Sequence, residues 1–353
     1  LGSDYLDGLH YGERGEVGVT VNFATGRALD QFGGVDEFSK MDGVIGSDAA
    51  DEFIGSAAID TIYYAGRAGN DTIRGTDSTD IADYSLDEVY GAVLGVIVNL
   101  SKGTAIDGFG DTDTLLKVDD VNGTKFADQL IGDAGDNVLD GMGGDDSILG
   151  GEGNDRLRGG AGNDTLRGGL GVDSYYGGAG DDLIDASIAN ADGSWSAWVV
   201  PGEGSNTIVG NQSLWYSGNG ISISYSQDLS GTGGVVIVAS ADGSGTVTSN
   251  NAGVVNDTFT FVNNFEGSDG ADHITAANNP DVVWQGYRPM AGNDTVIGSN
   301  NWDELTYHEG DTGRGVTVNF DLGAATDQYG DTDTFSNIDA VRGTAYADEF
   351  TGS

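Results

Sequence analysis

The fold of this chain is decided by residues 132–185, which read GDAGDNVLD, GMGGDDSIL, GGEGNDRLR, GGAGNDTLR, GGLGVDSYY and GGAGDDLID. These are six copies of a nine-residue unit that follow one another without an insertion. Each copy begins with glycine, has Asp or Asn at its sixth position and has an apolar residue at its eighth. A flexible Gly/Asp-rich linker would not keep an apolar residue at one phase of this register, so the pattern predicts regular structure.

A spacing of nine predicts that each unit makes half a coil, a tight turn followed by a very short strand. Two units then close one coil, and residues 18 apart stack on the same side. The glycines suit a turn that aims several carbonyl groups inward, since a Cβ would block the backbone angles this requires. The eighth positions are expected to fill a narrow core; they are Leu130, Leu139, Ile148, Leu157, Leu166, Tyr175 and Ile184.

The sixth positions fall into two stacked columns of oxygen donors. One column holds Asp128, Asp146, Asp164 and Asp182, and the other holds Asn137, Asp155 and Asp173. Calcium takes six to eight oxygen ligands, so one turn supplies too few and two stacked turns supply enough. The sequence therefore predicts a calcium site between successive members of each column, weakened at Asn137 because its oxygen is neutral.

The nonapeptide matches the G-G-x-G-x-D-x-U-x signature of calcium-binding β-rolls, and the chain resembles RTX (repeats-in-toxin, or hemolysin-type calcium-binding repeat) proteins. The resemblance is strongest over about residues 123–185 and looser elsewhere. It implies several Ca²⁺ ions as the cofactor and folding coupled to calcium binding. It also implies a secreted, extracellular bacterial protein that leaves the cell unfolded through type I secretion.

Four longer repeats flank the nonapeptides. They open with GVTVNF (18–23), GVIVNL (95–100), GISISY (220–225) and GVTVNF (315–320), and close with GSDAADEF (46–53), GTKFADQL (123–130), GSDGADHI (267–274) and GTAYADEF (343–350). From the opening Gly to the closing Asp is 33 residues in three copies, but 52 in the third. We therefore expect one extra coil in the third copy. Outlying calcium ligands are predicted at Asp51, Asp71, Asp272, Asp294 and Asp348.

Together these patterns predict an all-β chain with almost no helix, a right-handed parallel β-solenoid with a central calcium-binding β-roll. Alternating runs such as VTVNF read as strands with one buried face, and SLDEVYGAVLG (85–95) is the best helix candidate. Four segments of one rod are expected: wide coils over 1–122, the RTX roll over 123–186, an interruption over 187–214 and wide coils over 215–353. The ends of the sequence suggest a fragment or processed form of a longer protein.

Composition restricts the partners. With 57 acidic and 14 basic residues, the formal charge is −43. Nucleic acid is excluded as a partner because phosphate binding needs clustered Lys and Arg, and anionic membrane surfaces are disfavoured for the same reason. No stretch approaches the length of a membrane span. A chain this acidic repels itself until bound cations remove the repulsion, and stacked metal sites would supply the stability that a chain without cysteine cannot take from disulfides.

Aromatic residues near the interruptions leave two interpretations open. Exposed aromatic rings stack on sugar rings and would form a polysaccharide-binding groove, whereas buried ones would fill the wide coils. The aromatic residues concerned are Trp195, Trp198, Trp215, Trp284, Tyr287 and Trp302.

An enzymatic alternative rests on two arginines that occupy corresponding places before GND turns. Arg67 follows Tyr64, and Arg288 follows Tyr287, with His308 further along. In β-solenoid polysaccharide lyases and epimerases an Arg neutralises the uronate carboxylate while a Tyr or His removes a proton. The Asp-Pro-His element of alginate epimerases does not occur here, and such arginines can equally pair with acidic neighbours.

We therefore predict a calcium-binding structural or adhesive segment of a secreted RTX protein. An extracellular polysaccharide-active lyase, epimerase or glycanase that carries an RTX roll is the alternative. An ice-binding surface ranks third, because the threonines at 72, 165 and 295 do not form a long regular array.

Overall fold

The computed structural model describes residues 8–11, 17–188, 197–226, 233–249, 255–307 and 312–352. Strands hold 47% of the residues and helices 4%, so the predicted all-β class, rich in parallel sheet, is confirmed. The chain divides into two compact units, Leu1–Gly169 and Leu170–Ser353. The boundary falls inside the nonapeptide run. Within the described residues we find no helix with the length and apolarity needed to cross a membrane.

The first unit contains short strands joined by tight turns, together with the 3-10 helices Asp87–Tyr90 and Leu100–Lys102. Its described strands are β1 (Gly8–His10), β2 (Thr20–Asn22), β3 (Arg27–Leu29), β4 (Val35–Glu37), β5 (Gly43–Ile45), β6 (Glu52–Ile54), β7 (Thr61–Ala65), β8 (Thr72–Arg74), β9 (Thr79–Asp83), β10 (Ile97–Asn99), β11 (Thr104–Ile106), β12 (Thr112–Leu116), β13 (Asp120–Asn122), β14 (Gln129–Ile131), β15 (Val138–Asp140), β16 (Ser147–Glu152), β17 (Arg156–Ala161) and β18 (Thr165–Leu170).

Two sheets form the walls of the first unit. One is parallel throughout, with β5, β7, β9, β13, β15 and β17 side by side in chain order after β1. The other is mixed and runs β4-β3-β2-β6-β8-β12-β11-β10-β14-β16. Successive residues alternate between core and solvent, as a pleated strand requires.

The second unit repeats this plan and adds the helix α1 (Gln212–Ser217). Its described strands are β19 (Asp173–Ala179), β20 (Leu183–Asp185), β21 (Ala197–Glu203), β22 (Thr207–Val209), β23 (Ile221–Ser224), β24 (Val235–Ala239), β25 (Ser244–Ser249), β26 (Asn256–Thr260), β27 (Val262–Glu266), β28 (His273–Thr275), β29 (Trp284–Arg288), β30 (Thr295–Ile297), β31 (Trp302–Thr306), β32 (Thr317–Asn319), β33 (Ala324–Thr326), β34 (Thr332–Ser336), β35 (Ala340–Arg342) and β36 (Glu349–Thr351). The parallel sheet runs β19-β21-β23-β27-β29-β31-β35, and the mixed sheet runs β20-β22-β26-β25-β24-β28-β30-β34-β33-β32-β36.

A narrow apolar core lies between the two sheets of each unit. In the first unit Val21, Phe53, Ile73 and Leu115 are register partners across four strands, and all are almost fully buried. The eighth positions of the nonapeptides are equally buried, from Leu130 to Ile184. The predicted assignment of these positions to the core is thus confirmed.

The long repeats are antiparallel meanders inserted into the mixed sheet. The four meanders are β2-β3-β4, β10-β11-β12, β24-β25-β26 and β32-β33-β34. The outer strands of a meander pair in parallel with the neighbouring coils; β10, for example, pairs with β14 and β12 pairs with β8. The coils expected to be wide thus gain their width by folding back on themselves within one sheet.

The extra coil expected in the third long repeat is wrong. The segment beginning at Gly220 forms β23 in the parallel sheet, while the meander begins after Gly234. There the N–H of Val235 donates to Asp272 Oδ1 at 2.6 Å. The N–H of Val19 donates to Asp51 Oδ1 at the same distance in the first long repeat. The true separation is 38 residues, and the small excess lengthens the hairpin strands β24 and β25 to five and six residues.

Candidate calcium sites

The sixth positions of the nonapeptides stack as a hydrogen-bonded column. The N–H of Asp128 donates to Asp146 Oδ1 at 2.7 Å, and the N–H of Asp146 donates to Asp164 Oδ1 at 2.8 Å. On the other side, the N–H of Asn137 donates to Asp155 Oδ1 at 2.9 Å. Residues 18 apart are therefore neighbours in the first unit, which is the coil length that the nine-residue period predicts.

The same bond continues through the long repeats. In the first unit the N–H of Asp51 donates to Asp71 Oδ1 at 2.8 Å, and the N–H of Asp71 donates to Asp113 Oδ1 at 2.9 Å. In the second unit Asp272 donates to Asp294, Asp294 to Asp333, Asp182 to Asn206 and Asn206 to Asp257, at 2.7, 3.0, 2.9 and 2.8 Å.

Three of these aspartates keep one carboxylate oxygen open. Among the described residues, Oδ2 of Asp71, Asp146 and Asp294 is buried and has no hydrogen-bonding partner. In the turns of Asp71 and Asp146, the first glycine maintains a space beside this oxygen, whereas Pro289 has the first position in the turn of Asp294. A Cβ on Gly141 would collide with Asp146 Oδ2 and lie 2.7 Å from the carbonyl oxygen of Gly159 in the next coil. A carboxylate and a carbonyl thus face one small space, as a calcium site requires.

Backbone carbonyls must complete any such site. The described residues contain no group of three or more His, Cys, Asp or Glu side chains able to hold a metal ion by themselves. Calcium accepts carbonyl ligands readily, and the stacked glycine turns supply them. The donor set therefore fits a calcium ion held by one carboxylate oxygen per turn and by carbonyls of adjacent turns.

Burial raises the pKa of these open carboxylates. The pKa of Asp146 rises to about 9 because the group is desolvated, with further contributions from the charges of Asp128 and Asp164. Desolvation together with the charge of Asp113 raises the pKa of Asp71 to about 9, and desolvation also raises that of Asp294. A bound cation would replace the proton that these groups otherwise retain.

Four predicted ligands already have protein donors on their carboxylates. Asp128 Oδ1 accepts from the Val96 N–H and the Thr124 hydroxyl, and Oδ2 accepts from the Thr124 N–H at 2.6 Å. Ser47 and Ser268 hold Asp51 and Asp272 in the same way, whereas Asp348 Oδ1 accepts from the Thr344 hydroxyl and the Val316 N–H. Calcium binding by these four residues stays a prediction, and at Asp51, Asp128 and Asp272 an ion would meet an Oδ2 that already accepts an N–H.

The residue at the second position of the turn differs between the carboxylates that have protein donors and those with an open Oδ2. The satisfied carboxylates have Ser or Thr there, whereas Arg67, Met142 and Met290 precede the open ones and have positive φ angles of 71°, 66° and 71°. In the turn of Asp146, the N–H of Met142 donates to Asp140 Oδ1 at 3.0 Å rather than to the open carboxylate. A left-handed backbone at a residue other than glycine costs about 1–3 kcal/mol, so these turns carry strain where the oxygen is exposed to the site.

The remaining column members differ in what they offer. The amide of Asn137 is engaged at both atoms, since Oδ1 accepts the Asp133 N–H and Nδ2 donates to the Asp119 carbonyl at 2.7 Å. A Cβ on Gly150 would collide with Asp155 Oδ2 and lie 2.7 Å from the Gly168 carbonyl oxygen, as in the turn of Asp146. Asp164, Asp173 and Asp182 are also buried.

Three aspartates that the sequence did not single out as ligands complete the column with a tyrosine. The phenols of Tyr84, Tyr225 and Tyr307 donate to Oδ2 of Asp113, Asp257 and Asp333 at 3.0, 2.8 and 2.8 Å. In each case the phenol donates to Oδ2, the carboxylate oxygen that has no hydrogen-bonding partner at Asp146. Each of these tyrosines directly follows a strand of the parallel sheet, β9, β23 or β31, so a tyrosine at the end of a predicted strand was the available signal.

Among the described residues of the enzymatic alternative, the two tyrosines are buried in the core. Tyr64 and Tyr287 are core residues whose phenols donate to Asp80 and Asp303 at 2.6 and 2.8 Å, and burial raises the pKa of both.

The two arginines are paired, Arg67 with Asp48 at 2.6 Å and Arg288 with Glu266. Arg67 corresponds by its backbone angle to Met290 rather than to Arg288, so the expected match of the two arginines is wrong. His308 lies outside the described residues.

The aromatic residues divide between core and surface. Trp215, a residue of α1, is buried against Ala277 and Val282. Trp198 and Trp284 are half-buried, and Trp302 is 53% exposed. Trp195 lies outside the described residues. Trp215 and Tyr287 thus fill the core, as the second interpretation predicts, and sugar binding by the exposed rings stays a prediction.

A parallel β-roll whose glycine turns present buried carboxylates defines a calcium-binding repeat protein. The family model of the RTX calcium-binding nonapeptide repeat matches this chain in four copies, over residues 45–82, 122–157, 149–184 and 290–312. The chain thus carries RTX calcium-binding repeats, and the resemblance found in its sequence is confirmed. The first and last matches include the turns of Asp71 and Asp294. No curated protein matches the chain.

Proposed function

We propose that this chain is a calcium-binding structural and adhesive segment of a secreted bacterial RTX protein, which folds when it meets extracellular calcium. The observation that carries the proposal is the open Oδ2 of Asp71, Asp146 and Asp294, buried and without a hydrogen-bonding partner among the described residues. Leaving such an oxygen unsatisfied costs about 1–3 kcal/mol, and more when it is charged. A calcium ion in the adjacent space would remove that cost.

The proposed ligands are the open aspartates and their equivalents in the roll, Asp71, Asp146, Asp155, Asp164, Asp173, Asp182 and Asp294. Each would contribute a carboxylate oxygen, with carbonyls of the neighbouring glycine turns completing the shell. Asn137 would form a weaker site.

Charge supports folding that depends on calcium outside the cell. The formal charge of −43 opposes a compact state unless cations bind. An unfolded chain in calcium-poor cytoplasm is suited to export, and the RTX repeats are typical of secreted bacterial proteins. We retain the four segments 1–122, 123–186, 187–214 and 215–353 as the proposed organisation, with the roll as the calcium-dependent part.

The enzymatic alternative has less support. A general base must reach the proton that it removes, but Tyr64 and Tyr287 point into the core and are hydrogen-bonded there. The basic groups Arg67 and Arg288 are each engaged by an acidic side chain. A structural and adhesive role requires none of these groups to react.

The test is a far-UV circular dichroism titration with calcium, with magnesium as the control. A cooperative, calcium-specific gain of β signal is expected, and equilibrium dialysis should find several ions bound per chain. Magnesium demands near-ideal octahedral geometry and releases its water reluctantly, so it should not substitute. A complete β signal in chelator that calcium does not stabilise against heat would refute the proposal.

A further inference from the structure

The parallel sheet of the second unit carries a groove on its outer face. Val199, Ile223, Phe265, Tyr287 and Leu305 point into the core from β21, β23, β27, β29 and β31. Because side chains alternate along a strand, the residues that precede them in sequence face outward. These are the register partners Trp198, Ser222, Asn264, Gly286 and Glu304. They line a groove of about 600 Å³, within the usual size range of small-molecule sites.

Two glycines make room for an indole along this groove. A Cβ on Gly286 would lie 2.9 Å from Cη2 of Trp284, and a Cβ on Gly218, at the end of α1, would lie 3.2 Å from Cβ of the same tryptophan. The ring of Trp284 therefore extends past two positions without side chains. Trp198 lines the groove from β21, so two indoles border one cleft.

Polar groups between the indoles can bind hydroxyl groups. The amide of Asn264 donates to Ser222 Oγ at 3.1 Å, and its Oδ1 lies next to Gly286. Two ion pairs line the groove on adjacent strands, Glu266 with Arg288 and Glu304 with Arg342. Paired in this way, carboxylate and guanidinium groups present acceptors and donors side by side with little net charge.

We propose that this groove binds a neutral glycan chain. The apolar C–H faces of pyranose rings pack on indole faces, and vicinal hydroxyls match alternating donors and acceptors of the Asn264 amide and the Glu–Arg pairs. The net charge of −43 disfavours a polyanionic glycan, and the balanced ion pairs leave no excess positive charge to hold one. The inference rests on the adhesive part of the proposed function and gives that part a site and a ligand class.

The experiment uses the whole chain with calcium and, separately, with chelator. Calorimetric and tryptophan-fluorescence titrations would use neutral hexasaccharides of glucose, mannose, galactose and N-acetylglucosamine, with a hexauronate as the charged comparison. Trp284→Ala and Trp198→Ala should each weaken binding by up to about tenfold, since aromatic contacts contribute up to about 1.5 kcal/mol. Trp302→Ala is the matched control. Trp302 is the register partner of Trp284 on the neighbouring strand β31, but it is not among the groove-lining residues.

Each outcome has a definite meaning. Binding of at least one neutral hexasaccharide, lost in the two groove variants and kept in the control, supports the proposal, provided that circular dichroism shows all variants folded. If a groove variant is misfolded, Asn264→Ala gives the second test of the same surface. Binding of none of the neutral sugars at millimolar concentration, tighter binding of the hexauronate, or equal effects of all tryptophan variants overturns it. Glycan binding that persists in chelator would support the groove proposal and contradict the proposal that the chain folds only with calcium.

Discussion

Replacing Asp146 with asparagine is expected to change stability in opposite directions with and without calcium. The asparagine oxygen can still accept the Asp128 N–H that now reaches Asp146 Oδ1 at 2.7 Å, so the turn is preserved. The amide NH₂ would replace the open Oδ2, and this group donates hydrogen bonds rather than binding a cation. The variant therefore removes the charged ligand while keeping the scaffold.

The two magnitudes follow from the pKa and from the calcium linkage. Without calcium, the pKa of Asp146 is about 9 when folded, against 3.8 for an ordinary Asp. Because burial raises the pKa in the folded state, the protonated carboxyl contributes fully to protein stability below about pH 4. This contribution is lost as pH rises towards about 9. At about pH 7 this costs the wild type up to about 4 kcal/mol, and asparagine escapes the cost. Calcium binding at one site adds about 2.7 kcal/mol at 100 times Kd and about 4.1 kcal/mol at 1,000 times Kd. Loss of the site therefore outweighs the relief of this cost only above about 1,000 times Kd.

The assay is urea unfolding at neutral pH across free calcium concentrations at which a folded fraction is measurable. The curves of unfolding free energy against calcium should cross, with Asp146→Asn more stable at low calcium and less stable at high calcium. Asp128→Asn is the control. Its amide would face the Thr124 N–H now 2.6 Å from Oδ2, so it should lose about 1–3 kcal/mol at every calcium level. A constant loss for Asp146→Asn would refute the argument.

Three further changes test two other positions of the column and the buried carboxyl of Asp87. Asn137→Asp restores a charged ligand at the expense of the bond to the Asp119 carbonyl, and equilibrium dialysis should find one more calcium bound; an unchanged count would contradict this. Tyr307→Phe removes the phenol from Asp333 Oδ2 and should lower the free energy of unfolding by about 1–3 kcal/mol in saturating calcium, whereas a neutral effect in urea denaturation would speak against it. Burial raises the pKa of Asp87 to about 8, so its contribution is lost as pH rises through about 8, and Asp87→Asn should flatten the fall in stability between about pH 5 and 8; parallel pH profiles would disprove this.

The nonapeptide part of the fold could be predicted because its period is set by backbone constraints. A glycine at the turn, an aspartate five residues later and an apolar residue two beyond that are all needed for one half-coil to stack on another. The core positions from Leu130 to Ile184 and the 18-residue spacing followed directly. No tertiary information was required, because each coil contacts only its neighbours along the stack.

The long repeats were harder because alternation alone does not identify a strand's sheet. GISISY, which begins at Gly220, and GVVIVA, which begins at Gly234, have the same alternating pattern. The first segment nevertheless lies in the parallel sheet, whereas the second begins a meander. Only the bond to Asp272 distinguishes them. The helix α1 was also missed, although Asn211 caps its N-terminus and Gly218 ends it with a φ of 78°, because a six-residue helix leaves little periodicity.

The candidate site could be predicted by residue type but not by the state of each carboxylate. Asp51, Asp71, Asp128 and Asp146 look equivalent at the sixth position, yet protein donors satisfy the first and third while the second and fourth stay open. The difference depends on whether the second position of the turn directs an N–H and a hydroxyl at the carboxylate. Ser or Thr at that position was the available sequence signal, but the direction of its N–H and hydroxyl depends on the backbone angles of the turn.

The order of these turns along the chain suggests how the calcium sites begin to form. A satisfied turn precedes an open one at three places, where Asp51, Asp128 and Asp272 each donate an N–H to the open aspartate that follows. One oxygen of that aspartate is thus fixed by a turn that needs no metal. Calcium binding at the first open aspartate of each run then orders fewer groups, so it costs less conformational entropy than binding between two open turns. Calcium should therefore bind first at these three junctions, with the roll ordering onward from Asp146.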